Sequence, residues 1–436
     1  MAPLYPAQSW PRTAQRKNRA TDGRARQKLT RARLPLQHVS CSRRSRGVAI
    51  GRGGHGSNRE RERLGCAATS AFRPSGKRDQ ILREPAHINA IGTAVPPHEV
   101  NAFYRQFAAS QLRQKPREQA IFRKLAEKAD IERRYSCLAP AADPEGTALD
   151  AGGLFARGNF PGTATRMDLY EANAPDLAIA AIEATGADLA AVTHLIVASC
   201  TGLAAPGLDL EIIARTNIAD TVERTLVGFI GCYAAISALK LAHHIVRSEP
   251  SATVLVVNLE LCSLHFKETA DIEQLLSFCL WGDGCSAAIV SGRPSGIRLE
   301  GFHAALLPGA RDLMTWKVRN DGFDMVLSGR IPAAIRRTLE GDSDAILGGR
   351  TVRETDLWAV HPGGRSVLNA VEQVLALPPD SLAPSRNVLR QQGNMSSATV
   401  MFVLKAMLAD ARGGETGCAM AFGPGLTAET FTFAMA

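Results

Sequence analysis

The 436-residue chain has no uninterrupted apolar run near 18 residues, so nothing in it reads as a membrane span. Its nine cysteines, Cys41, Cys66, Cys137, Cys200, Cys232, Cys262, Cys279, Cys285 and Cys418, include no CxxC pair. An odd count, with several of them inside strand-like apolar runs, argues for reduced thiols in a cytoplasmic protein and against a disulfide framework or a zinc site. Methionine is missing between Met1 and Met167, so a start codon further in would have to be a non-standard one. Acidic residues are scarce at the N-terminus: residues 1–85 hold 20 Lys and Arg against 5 Asp and Glu, whereas the remainder holds 31 against 37. The formal charge of +9 therefore belongs to the first 85 residues.

That stretch is rich in Arg, Gly, Ser and Pro and has little apolar periodicity, so it is expected to form a disordered extension, 1–85. Its length and its RERER run disfavour a transit peptide. A nucleic-acid-binding arm would rest on charge alone, so no nucleic-acid partner is expected; a dispensable extension, or translated upstream sequence, is the preferred reading.

From His87 onward the chain carries the patterns of ordered structure. HINAIGTAVPPHEV reads as a strand running into a Pro-Pro turn, and PREQAIFRKLAEKAD as a helix with Lys124 and Lys128 on its charged face. Those lysines fit an ordinary solvated face and equally an anionic ligand. Apolar strands then alternate with helices: VTHLIVAS, TVLVVNLEL, CSAAIVSG, DLWAV and a closing hairpin-like pair in GCAMAFGPGLTAETFTFAM. The pattern predicts an α/β protein with its sheets covered on both faces, 45% of its residues being hydrophobic. Residues 86–292 and 293–436 repeat one idiom, a polar residue ending an apolar strand just before a helix, as Cys232 and His361 do.

The segment TLVGFIGCYAAISALKLAHHIV organises the rest. It reads as a short apolar strand stopping at Gly231, then Cys232, then a helix whose polar face carries Lys240, His243, His244 and Arg247. A thiol at the start of a helix meets free N–H groups and a positive dipole end, which favours a thiolate. A buried structural cysteine is the competing reading. His361 precedes Pro362-Gly363-Gly364, which allow close approach, and Asn394 follows Gly393 in a loop whose amide can donate to an oxyanion. Of the other histidines, His243 and His244 are expected on a helix surface and His194 and His303 in strands.

These motifs taken together, GCYAA, VHPGGRSVLNAVE, QQGNMSSATVMFVL, WGDG, IERRY and AFGPGLTAET, resemble the type III polyketide synthases, the chalcone and stilbene synthase-like family. The resemblance runs from about His87 to Ala436. It implies a thiolase-like fold of two duplicated halves in a layered αβαβα arrangement and a homodimer. It also implies acyl-CoA and malonyl-CoA as substrates, with no further cofactor and no metal. Cys232, held as a thiolate by His361, would carry the starter acyl group, and His361 and Asn394 would stabilise the enolate of decarboxylated malonyl-CoA. Lys124 and Lys128 match positions that bind CoA phosphates in relatives. Trp281 matches a gatekeeper that is usually Phe, and Met325 stands where a second Phe is common. Ser396 and Gly423-Pro424-Gly425 match cavity positions. Cys200, Ala205 and Cys262 replace Thr, Met and Thr of plant chalcone synthases, as in bacterial acyl-pyrone and alkylresorcinol synthases. A medium- or long-chain fatty acyl starter is therefore expected. A ketoacyl-ACP synthase III-like enzyme is the alternative, separated by its 3-ketoacyl product from the cyclised pyrone, resorcinol or phloroglucinol of a polyketide synthase.

Overall fold

The computed structural model describes residues 85–436. The extension expected over 1–85 lies, apart from Pro85, outside the described residues, with Cys41 and Cys66 in it. The chain begins with β1 (His87–Ala94) and the two-residue β2 (His98–Glu99). Helices α1 (Asn101–Gln111) and α2 (Pro116–Glu127) follow, with the short β3 (Tyr135–Ser136) pairing back to β2. Pro116 starts α2, where its missing N–H is not needed. Next come α3 (Thr163–Glu183), β4 (His194–Ser199), α4 (Leu208–Arg215), β5 (Glu223–Gly228), α5 (Ala234–Ser248), β6 (Thr253–Leu261), α6 (Ile272–Phe278) and β7 (Asp283–Ser291). The remainder comprises β8 (Ile297–Leu306), the hairpin β9 (Met314–Arg319) and β10 (Gly322–Leu327), α7 (Ile331–Ile346), β11 (Leu357–Val360), α8 (Arg365–Val374), α9 (Ala383–Gln392), α10 (Thr399–Asp410), β12 (Thr416–Gly423) and β13 (Thr427–Met435).

Nine strands join in the order β11-β12-β13-β8-β1-β7-β6-β4-β5. β4 pairs in parallel with β5 and β6, and β11 with β12, while β7, β1, β8 and β13 pair antiparallel to their neighbours. Alternation along the strands sorts side chains between separate cores. In β6, Leu255, Val257, Leu259 and Leu261 pack on the α3 side, and Val254 and Val256 face α5. In β12, Ala419 and Ala421 share that second core, whereas Cys418, Met420 and Phe422 pack against α7 and α8. Helices α5 and α10 thus form an inner layer touched by strands of both halves, with α3 outside one and α7 and α8 outside the other. Strands buried on both faces must be apolar throughout, which explains the runs in the sequence.

Two expectations need correction. β5 stops at Gly228, not Gly231, and lies at the sheet edge with most of its residues exposed, Leu226 among them. His243 is buried against Phe302, and burial holds its pKa down to about 4; its neighbour His244 is exposed as expected. The seven cysteines of the described residues are all free thiols, and no helix among those residues is long and apolar enough to cross a membrane.

Candidate active site

Cys232 stands in the turn between β5 and α5, two residues before the first helical one. Gly231 makes that turn possible. Its φ is +90°, and a Cβ there would meet the Pro424 ring at 2.2 Å. The Gly231 N–H is held by the Cys200 sulfur at 3.1 Å, which ties the turn to the end of β4. On the other side a Cβ at Gly423 would lie 2.5 Å from the Tyr233 ring and 3.4 Å from the Cys232 nitrogen. The nucleophile turn of one half and the Gly423-Pro424 loop of the other are thus in direct contact.

His361 directly follows β11, its N–H donated to the Met420 carbonyl at 2.7 Å and its carbonyl accepting from the Gly363 N–H at 2.9 Å. Neither ring nitrogen has a hydrogen-bond partner among the described residues. Asn394 follows α9 by way of Gly393, whose φ is +70°. The Asn394 Oδ1 accepts from the Ser396 N–H at 2.9 Å, which fixes the amide orientation and turns Nδ2 toward the Gly363 carbonyl at 3.3 Å.

Cys232, His361, Asn394 and Trp281 line one cavity of about 890 Å³. Its other walls are mainly apolar, with Leu276, Leu280, Met314, Ile331 and Phe422 among them, and exposed Lys128 and Arg365 also line it. Lys124 sits on the exposed face in the last turn of α2 and does not line it. Cys200, Cys262, Met325 and Ser396 are buried side chains outside its lining, and Ala205 is exposed, ahead of a cis peptide bond to Pro206. Gly423, Pro424 and Gly425 contribute no lining either. Aromatic bulk occupies the space next to Met325. Trp281 packs edge-on to Trp316 at 5.6 Å, and Phe323 stacks on His265 at 3.8 Å.

Burial dominates the electrostatics. It pushes the Cys232 thiol up to about 12, against the helix-end effect expected to favour a thiolate, with a hydrogen bond to Ser396 opposing it in part. It holds His361 down to about 3. Burial thus disfavours the charged form of each group taken separately.

Two buried groups beside the site belong to none of the motifs' expected roles. Glu260 is fully buried at the end of β6, where its carboxylate accepts from the Cys200 N–H at 2.9 Å, the Thr201 hydroxyl at 2.9 Å and the Ser397 hydroxyl at 2.5 Å. Burial raises it to about 7. An acid inside the apolar run TVLVVNLEL was the available signal. Arg134 is the other, a fully buried guanidinium beneath the turn that carries Trp281.

Among the described residues no three His, Cys, Asp or Glu side chains are placed to hold a metal. A duplicated α/β fold with a cysteine at a strand-to-helix turn, sharing a cavity with histidine and asparagine from the other half, is the thiolase-like arrangement of condensing acyltransferases. The chain belongs to the chalcone and stilbene synthase family, that is, to the type III polyketide synthases: the family's N-terminal domain matches residues 74–294 and its C-terminal domain residues 299–435. It is 30% identical over 365 residues, 80% of this chain and 91% of the relative, to the alpha-pyrone synthesis polyketide synthase-like Pks18 of Mycobacterium tuberculosis. It is equally 30% identical to 1,3,6,8-tetrahydroxynaphthalene synthase of Streptomyces peucetius, over 84% of this chain and 98% of that one. The crystal structure of PKS-I from the brown alga Ectocarpus siliculosus superposes with a TM-score of 0.72 at 27% identity, covering 81% of this chain and 98% of its own. Enzymes of this family condense malonyl-CoA onto an acyl-CoA starter and use no cofactor beyond those thioesters.

Proposed function

We propose that Cys232 carries the starter acyl group and that His361 and Asn394 bind the malonyl thioester carbonyl. The Cys232 sulfur attacks the starter carbonyl, the carbon–sulfur bond to CoA breaks, and His361 relays the thiol proton to the departing CoA sulfur. Loss of CO2 from malonyl-CoA leaves an enolate, whose oxygen takes hydrogen bonds from Asn394 Nδ2 and from the N–H of the His361 ring. Its carbon then attacks the acyl-cysteine, forming the new carbon–carbon bond and freeing the sulfur. Donors in a mostly apolar cavity favour that charge. The observation carrying this reading is that three polar side chains, set on three separate turns, share one largely apolar cavity.

We further propose a medium- or long-chain fatty acyl-CoA starter, followed by ring closure to a pyrone, resorcinol or phloroglucinol. Support comes from the apolar cavity walls, where each buried methylene of the starter contributes about 0.8 kcal/mol. It comes also from the relative named for alpha-pyrone synthesis. Lys128, lining the cavity beside Arg365, is the better placed of the two lysines for a CoA phosphate, with Lys124 one turn away. A homodimer is the matching assembly, supported by exposed Leu203 and Leu226 near the edge strand. Free thiols suit a cytoplasmic location. The halves are taken as 86–292 and 293–436, supported by the separation of β1 and β4 to β7 from β8 and β11 to β13 along the sheet. The test is a panel of starters with malonyl-CoA read by mass spectrometry of the products. C8 to C16 acyl-CoAs should be preferred, and preference for coumaroyl-CoA overturns the starter assignment.

A further inference from the structure

Residues 131–134 hold the C-terminal ends of two helices at once. The N–H groups of Glu132 and Arg133 donate to the Arg390 carbonyl near the end of α9, at 2.8 and 3.0 Å. The Arg134 guanidinium reaches the end of α6, where Nη1 donates to the Phe278 carbonyl at 2.7 Å and to the Trp281 carbonyl at 2.8 Å. Its Nε donates to the Asn101 Oδ1 at 3.2 Å, and its cation lies 5.1 Å from the Tyr104 ring centroid. Among the described residues no carboxylate lies within ion-pair distance of this fully buried cation, though Glu99 and Asp283 act on it at longer range; carbonyl dipoles at a helix C-terminus and an aromatic face are its direct partners.

The two turns that leave these helices carry Trp281 and Asn394. They bridge directly: the Gly282 N–H donates to the Asn394 carbonyl at 3.0 Å, and the Asn394 N–H to the Leu280 carbonyl at 2.8 Å. Arg134 packs beneath both. A Cβ at Gly282 would lie 3.4 Å from the Arg134 Cβ and 2.7 Å from the Gln392 carbonyl. One at Gly393 would lie 3.2 Å from the Arg134 Cβ and 2.9 Å from the Leu280 carbonyl. The three backbones fit with no slack, so displacement of Arg134 is transmitted to the Asn394 amide. The Cys232 turn is held mainly by Cys200 and Pro424, and it touches the Asn394 turn through the hydrogen bond between Cys232 and Ser396.

We infer that Arg134 is a positioning residue for the Asn394 amide, and through the same clamp for Trp281, so that it governs malonyl-CoA decarboxylation separately from starter loading on Cys232. This rests on the Asn394 role proposed above. A lysine retains the charge but cannot span two carbonyls and Asn101 with a fixed fork. A displacement of about 1 Å at a reacting group can cost about 10²-fold in rate.

The experiment compares wild type, Arg134→Lys, the milder Asn101→Ser, which removes the acceptor for Nε, and Asn394→Ala. Three readouts are taken on the full chain: CO2 release from malonyl-CoA, acylation of Cys232 by a starter acyl-CoA in intact-mass spectra, and the thermal unfolding midpoint. Arg134→Lys should lower the decarboxylation kcat about 10- to 100-fold, with acylation within about threefold of wild type, and Asn101→Ser should move the same ratio less. If Asn394→Ala impairs decarboxylation but neither clamp variant changes the ratio of the two reactions, the positioning role is refuted. A parallel loss of both reactions with a lowered midpoint marks Arg134 as a folding residue only and also overturns it. If Asn394→Ala itself leaves decarboxylation intact, it is the underlying Asn394 assignment that has failed.

Discussion

Gly231→Ala is the sharpest probe of the contact beneath the nucleophile. The wild-type residue has φ +90°, a conformation that costs an L-residue about 1–2 kcal/mol. The added methyl would meet the Pro424 Cδ at 2.2 Å and Cγ at 2.8 Å, atoms of a rigid ring that cannot rotate away. Overpacking of this kind costs about 1–3 kcal/mol. The two together predict a loss of about 2–5 kcal/mol in urea unfolding, because strain and clash are separate effects. Relief by backbone movement would shift Cys232, the next residue, and loosen the Gly231 N–H from the Cys200 sulfur. Starter acylation, followed by the mass of the acyl-enzyme over time, should therefore slow more than malonyl-CoA decarboxylation, whose proposed donors sit on other turns. A variant within about 0.5 kcal/mol of wild type and acylated at the same rate would refute the argument, since substitutions without a structural consequence fall in that range.

The same geometry sets other expectations. Cys232→Ala should abolish starter loading, and His361→Ala and Asn394→Ala should suppress malonyl-CoA decarboxylation, both followed by product mass and CO2 release. Lys128→Ala should raise KM for malonyl-CoA with little change in kcat if it meets a CoA phosphate. Stability should fall as pH drops below 6.5: burial holds His243 at about 4 and His265 and His361 at about 3, so the unfolded chain takes up protons that the native one refuses. Glu260 acts with the opposite sign. Raised from its usual 4.5 to about 7, it binds a proton more readily when folded, so its contribution falls as pH rises between those values; urea titrations of Glu260→Gln should lack that fall.

Much of the site was legible because its residues sit in short, self-contained turns. Cys232, His361 and Asn394 each follow or precede glycines whose spacing is visible in the chain, and the alternation of strand and helix follows from apolar runs buried on both faces. What escaped depends on partners far along the sequence. His243 looks like a surface residue on α5 because nothing local predicts that Phe302 of β8 covers it. The β5 run looks like a core strand, yet it ends the sheet, and edge position is a property of topology. Trp316 and Phe323, which pack against Trp281 and His265, come from the β9–β10 hairpin, and nothing near Trp281 in the sequence announces them. Arg134 stands in the sequence only as one letter of IERRY. Its meaning lies in carbonyls 144 and 147 residues away.

The seam between Gly231-Cys232 and Gly423-Pro424 also bears on how such enzymes can be recombined. Each side of it is shaped to the other at distances that leave no room for a methyl group. A chimera joined near residue 292 would inherit its sulfur-bearing turn from one parent and the loop beneath it from another. Such hybrids should work only when both pieces travel together, which makes this pair of turns, distant in the gene, a single heritable unit.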